Sequence, residues 1–208
     1  MIKLLVVDHH PIIRKGLDLL FITSSNIQVV GSLDNGEAIF EFLNKNKVDI
    51  IISEIDLPKL NGITALRRLN KEYPDVKVIM FSAQPEEVYA MNTIKAGASG
   101  YLCKTANIIT LKEAILKVYG GGIYLSNNLA QRLAIGKRVS RSGNFYKKLS
   151  TREIEVLKLI SSGRKNKEIA KELNINEKTV STYKARLMKK LNVTNIVDLI
   201  NRAKLLEL

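Results

Sequence analysis

Met1-Ile2-Lys3-Leu4-Leu5-Val6-Val7-Asp8 is an aliphatic run closed by an acid, the first of five such runs that decide the architecture of the front half. The others are Ile27 to Gly31, Asp49 to Ser53, Val76 to Phe81 and Ser99 to Leu102. Short β-branched and aliphatic runs alternating with helical periodicity are expected of parallel strands joined by crossover helices. Between the runs, Ile12, Ile13, Leu17, Leu20 and Phe21 make one apolar helical stripe. Ala38, Ile39, Phe42 and Leu43 make a second, and Ile63, Leu66 and Leu69 a third. Further helices are expected over Pro85 to Lys95 and Ile108 to Tyr119. The expected fold class for residues 1–122 is therefore α/β, a (βα)5 doubly wound parallel sheet whose ligand site lies at the carboxyl ends of the strands.

Working outward, Gly120-Gly121-Gly122 breaks the last of these helices. Ser126 to Ile135 offers a short helix, and Gly136 to Lys148 is polar and glycine-containing, so residues 123–148 read as a linker. Ser150-Thr151-Arg152-Glu153 has capping-box spacing and predicts a helix from about residue 151, with Ile154, Leu157 and Ile160 inward and Gly163 at its end. Asn166 to Leu173 reads as a second short helix. Asn176 is expected to cap a third over Glu177 to Leu191, and Thr194 a fourth from Asn195 to the region of Leu205. Residues 149–208 thus form an all-α, four-helix domain.

The 208 residues carry a net charge of +13, unevenly placed: +1 over residues 1–125, +6 over 126–148 and +6 over 149–208. A neutral front and a basic tail point to a polyanionic partner, and electrostatics alone would accept a membrane surface equally well. No apolar run approaches the ~20 residues that span a bilayer, and Asp8 interrupts any signal-peptide core, so a cytoplasmic chain with no membrane partner is expected. The single cysteine, Cys103, has no disulfide or metal-ligand partner set and reads as a small core residue.

In the third helix of the tail, Val180, Leu187, Met188 and Leu191 fall on one face, and Lys178, Ser181, Thr182, Ala185 and Lys189 on the other. Small side chains let a helix sit deep in a major groove. Hydroxyls there can meet base edges, while flanking Lys184, Arg186 and Lys190 reach phosphates. The preceding short helix would lie across the backbone with its amino end, Asn166 and Lys167, toward phosphate.

Several spaced motifs then carry a family resemblance. Leu149 to Leu157, Asn166-Lys167-Glu168-Ile169-Ala170, Glu177-Lys178-Thr179-Val180 and Leu191-Asn192-Val193 together resemble the LuxR-type DNA-binding domain. The resemblance implies that Glu177 to Leu191 is the recognition helix and that Ser181, Thr182 and Ala185 face bases, with Thr179 also at the interface. It implies further that the last helix can serve as a dimer surface. Tyr183 stands where relatives often carry histidine, and either contacts phosphate or packs inward.

The front domain resembles the receiver domain of response regulators, through Val7-Asp8-His9-His10-Pro11, Ile55-Asp56-Leu57-Pro58 with Asn61-Gly62, Phe81-Ser82-Ala83 and Ala96 to Lys104. With the tail it makes a NarL/FixJ-type, two-component architecture. In that family an aspartate ending the third strand accepts a phosphoryl group from a sensor histidine kinase, and paired acids after the first strand help hold Mg2+. A Ser/Thr and a Lys contact the phosphoryl group, and an aromatic residue swings inward. The acceptor precedes the motif's proline by four residues and its glycine by eight, which places it at Glu54; the second of the paired acids is His9. Asp8, Ser82, Tyr101 and Lys104 stand at the expected positions.

The two departures act together. Phosphoryl transfer is mostly positioning and charge neutralisation, so one extra methylene at Glu54 spoils in-line geometry. Imidazole in place of an oxygen ligand disfavours Mg2+. The expectation is a receiver without ordinary aspartyl phosphorylation and with weak or absent Mg2+ binding, in which Glu54 either mimics the charged state beside Lys104 and Ser82 or forms a structural ion pair in a dimerisation scaffold. Glutamate engineered in place of aspartate is a third explanation, one that leaves His9 unaccounted for. Asp56, two residues into the loop, is a weaker alternative acceptor. A transition-metal site of Asp8, His9, His10 and Glu54 is set aside, because adjacent side chains at a strand end are expected to point apart and His10 to start the first helix.

The function expected is a sequence-specific, DNA-binding transcription regulator acting as a homodimer on double-stranded DNA, with a sensor histidine kinase as a further candidate partner. The competing readings are a heterodimerising module that sequesters another regulator, and a phosphatase-like enzyme using Asp8, Glu54 and Lys104. The basic, hydroxyl-rich helix counts against the first. The lack of an intact metal site counts against the second, so no enzyme and no cofactor is expected.

Overall fold

A computed structural model of the chain describes residues 1–134 and 149–204; the linker expected over residues 136–148 lies outside them. Two compact units divide between residues 137 and 138. No helix among the described residues is long and apolar enough to cross a membrane.

In the first unit, strands β1 (Ile2–Val7), β2 (Ile27–Leu33), β3 (Ile50–Ser53), β4 (Lys77–Ser82) and β5 (Gly100–Cys103) form one parallel sheet in the order β2-β1-β3-β4-β5. They alternate with helices α1 (Pro11–Phe21), α2 (Ala38–Lys45), α3 (Gly62–Glu72), α4 (Glu86–Lys95) and α5 (Ile108–Tyr119), and α6 (Asn127–Ala134) follows. Central β3, Ile-Ile-Ile-Ser, is buried along its whole length, which is why it reads as an unbroken apolar run. One face of the sheet packs Leu4, Val6, Ile50, Ile52 and Phe81 against Leu17 and Phe21 of α1 and Leu111, Ile115 and Val118 of α5. The alternate residues Leu5, Val7, Ile51 and Met80 are equally buried and belong to the opposite face. This is the doubly wound α/β arrangement.

The strand reversal sits between β1 and β3, whose last residues, Val7 and Ser53, are paired. Ser82 and Cys103 likewise close the β4–β5 ladder. Register alone therefore delivers Asp8, Glu54, Ser82 and Lys104 to one end of the sheet, the end where such folds bind ligands.

The tail unit consists of α7 (Thr151–Ser161), α8 (Asn166–Glu172), α9 (Glu177–Leu191) and α10 (Ile196–Lys204). Ser150 and Glu153 form the expected capping box of α7, and Gly163 ends that helix at φ +81°. Asn176 caps α9 by accepting from the Thr179 amide. Ile154, Leu157, Ile160, Ile169, Val180, Leu187, Leu191, Leu199 and Ala203 fill the core.

Three readings need correction. Ile12 does not join the inward stripe of α1 but is 78% exposed, because Leu17 and Phe21 set the buried face and position 12 falls opposite. Helix α10 is capped by Asn195, whose side chain accepts from the Asp198 amide, and not by Thr194. Cys103 is half-buried at the end of β5, where the strand emerges from the core.

Candidate functional sites

Four polar side chains are buried together at the end of the receiver sheet. Asp8, Glu54 and Ser82 are at most 3% exposed. The Lys104 ammonium lies 2.6 Å from the Asp8 carboxylate and 2.7 Å from Glu54 Oε2. The other oxygen, Glu54 Oε1, accepts from the Ser82 hydroxyl and, at 2.5 Å and 3.4 Å, from the amides of Ile55 and Asp56. Both carboxylate oxygens are thus saturated by donors fixed on three different strand ends. Burial pulls the Lys104 ammonium pKa down, but its bonds to Asp8 and Glu54 outweigh this and leave it raised.

Gly62, the first residue of α3, packs directly on this centre. A Cβ there would fall 2.1 Å from the Glu54 carbonyl oxygen, so only glycine lets the helix start this close. Tyr101 is turned inward and fully buried, its hydroxyl donating to the Gln84 carbonyl at 2.7 Å. Burial, and secondarily Glu54, push its phenol far above the ordinary value. Gln84 in turn donates to the Asp56 carboxylate at 2.6 Å, so Asp56 is engaged away from Glu54's oxygens. Nothing in the sequence marks Gln84: its role follows from where the β4–α4 loop brings its backbone.

The histidines differ from expectation. His9 is exposed and not a member of the buried cluster. Its ring does not point away from His10; the two centroids are 3.8 Å apart with planes tilted by 41°. The cause is Asp8, whose Oδ1 accepts from the His10 backbone amide at 2.9 Å, lies 2.9 Å from its ring Nδ1 and bends the chain back just before Pro11 starts α1. Arg14 adds a 2.6 Å bond to the Asp8 carbonyl.

On α9, Lys178, Ser181, Thr182, Ala185, Arg186 and Lys189 are all exposed on one side, while Thr179, Tyr183 and Lys184 are half-buried. Asn166, at the start of α8, donates to the Ser181 hydroxyl at 3.2 Å, and Lys167 beside it is exposed. One assignment fails: Lys190 is not available to phosphate, since its ammonium is 2.7 Å from Glu153, a carboxylate only 3% exposed. Burial would raise the Glu153 pKa, but Lys190 and the Ser150 bonds hold it below the usual glutamate range. The bond ties the end of α9 to the α7 capping box, a pairing 37 residues apart that helical periodicity cannot foresee.

A receiver-like acid pocket and a basic helix face on one chain are matched by known proteins. Residues 4–116 match the response regulator receiver domain, and residues 147–203 match the bacterial regulatory proteins of the luxR family. The chain is a response regulator of the LuxR-tailed, NarL/FixJ type. It is 33% identical to response regulator GacA of Pseudomonas aeruginosa, over 96% of this chain and 94% of that one. It is 32% identical to UvrY of Escherichia coli over 98% and 94%. Among solved structures it resembles RcsB of Salmonella enterica serovar Typhimurium bound to promoter rprA in the presence of phosphomimetic BeF3-, with TM-score 0.78, 26% identity and 96% of each chain covered. As a response regulator with this tail, it is a DNA-binding transcription regulator.

Proposed function

We propose that this response regulator binds paired DNA half-sites as a homodimer, and that Glu54 sets its receiver in place of aspartyl phosphorylation. The carrying observation is the saturation of the Glu54 carboxylate by the Ser82 hydroxyl, the Lys104 ammonium and two loop amides. Ser and Lys at these positions are the groups that hold a phosphoryl group in receivers, so a carboxylate at the end of the longer glutamate side chain already fills their donor capacity. The inward Tyr101 fits the same state. A carboxylate supplies one negative charge and two acceptor oxygens where a phosphoryl group supplies up to two charges and three oxygens, so the mimicry is partial.

Mg2+, which the family's phosphoryl chemistry uses, does not fit these residues. His9 brings imidazole where a hard cation wants oxygen, and the Glu54 carboxylate is already engaged by Ser82, Lys104 and a loop amide. A sensor kinase partner therefore has no ordinary acceptor here.

For DNA, the exposed face of α9 is the reading surface and the α8 start the phosphate contact. Ser181 and Thr182 donate their hydroxyl protons to the carbonyls of Glu177 and Lys178, leaving their oxygens as acceptors, one lone pair of Ser181 being taken by Asn166. These accept from base amino groups, which biases reading toward adenine N6 or cytosine N4. Two such helices in a dimer read half-sites of matching symmetry.

Intact-mass spectrometry after incubation with acetyl phosphate and Mg2+ tests the control. Unmodified protein is expected; a stoichiometric acid-labile adduct overturns it.

A further inference from the structure

We propose that Asp8, His9 and His10 form a binding site for a divalent transition-metal ion of the Zn2+, Ni2+ or Cu2+ class at the mouth of the receiver pocket. One ligand atom from each of the three side chains lies within 4.8 Å of the others. Two donors on a common ion at about 2.1 Å each stand no more than about 4.2 Å apart, so a small turn of the rings closes the site. The rings can make that turn, since both histidines are exposed and the His10 side chain is 50% accessible.

Asp8 supplies the fixed part. It is buried, and its Oδ1 accepts from the His10 amide and lies 2.9 Å from the His10 ring Nδ1. That separation is within the span of two donors on one ion, so Asp8 Oδ1 and a His10 ring nitrogen can share the metal. The tilted stacking of His9 on His10 brings the second imidazole to the same place.

The donor set decides the class of ion. Two imidazoles and a carboxylate suit Zn2+, Ni2+ and Cu2+, whereas Mg2+ keeps oxygen ligands and water. Lys104 is 3.2 Å from His10 Nδ1, but its charge is already offset by Asp8 and Glu54. Solvent completes the coordination sphere.

The chain has only two histidines, which makes the test direct. Tag-free full-length protein is titrated with ZnCl2 in a calorimeter and, in parallel, followed by imidazole 15N resonances. One ion per chain is expected, with both histidines shifting together. Affinity should fall at least about tenfold in His9→Ala or His10→Ala, and Mg2+ in excess should not compete. Cys103→Ser should bind as the parent does, excluding the thiol as ligand. Absence of saturable Zn2+ binding, shifts confined to one histidine, unchanged binding in the double His variant, loss of binding in Cys103→Ser, or displacement by Mg2+ would each overturn the assignment.

Discussion

Replacing Lys104 with methionine removes the ammonium that, among the described residues, pairs with both the Asp8 and Glu54 carboxylates, each 3% exposed, while keeping the length of the stem. Exposed ion pairs contribute about 0–1 kcal/mol, because water screens them and ordering two long side chains costs entropy. Here the Lys104 side chain is itself only 11% exposed, so its loss strands two buried anions side by side. Removing one partner of such a pair costs about 3–5 kcal/mol. At roughly 4 °C per kcal/mol for a domain of this size, the receiver transition should fall by on the order of 12–20 °C. Differential scanning calorimetry of the full chain at pH 7 reads this directly. Adding Glu54→Gln should return part of the loss, since one of the stranded charges is then gone, giving a coupling on the order of 1–3 kcal/mol. The raised Lys104 pKa gives the same interaction a pH signature. Its stabilisation is full below the ordinary lysine value of about 10.4 and is lost as pH rises through the folded value. A shift under about 1 kcal/mol in Lys104→Met, or no coupling to Glu54→Gln, would show that Lys104 does not neutralise two buried carboxylates.

On α9, Lys178→Glu or Arg186→Glu should weaken specific DNA binding and flatten its salt dependence, as measured by fluorescence anisotropy across ionic strengths. Lys190→Met should instead leave the salt slope unchanged and lower the melting temperature of the tail unit, because Lys190 serves Glu153. Glu153 is held below its unfolded pKa, so its contribution is present above the ordinary glutamate value of about 4.3 and is lost as pH falls below it; acid titration by circular dichroism should show this, and Glu153→Gln should remove it. Gly62→Ala should destabilise the receiver by several kcal/mol in urea titration, since the added methyl meets a backbone carbonyl that cannot move without moving Glu54.

The sheet was legible because its strands are continuous aliphatic runs, and their parallel pairing then forces Asp8, Glu54, Ser82 and Lys104 to one end. The helical tail was legible from caps: Ser150, Asn176 and Gly163 act as their residue types suggest. Illegible were features made by chain reversal or distant packing. Ile12 has the right residue type for a core stripe and the wrong angular position. His9 and His10 stack only because Asp8 holds the His10 backbone, and Lys190 finds Glu153 only once α7 and α9 are packed. Thr194 and Asn195 are both good caps, and periodicity does not locate a helix start to one residue.

On the proposed function, Glu54 holds the receiver in its DNA-binding state without a phosphodonor. The most direct measurement is the affinity of the untreated full-length chain for a DNA site selected from a random pool, compared with that of Glu54→Gln. Specific dimeric binding by the untreated chain, weakened by at least about tenfold or 1.4 kcal/mol in Glu54→Gln, is predicted. Equal affinity in the two proteins, or binding by the parent only after acetyl phosphate and Mg2+ are added, would contradict it.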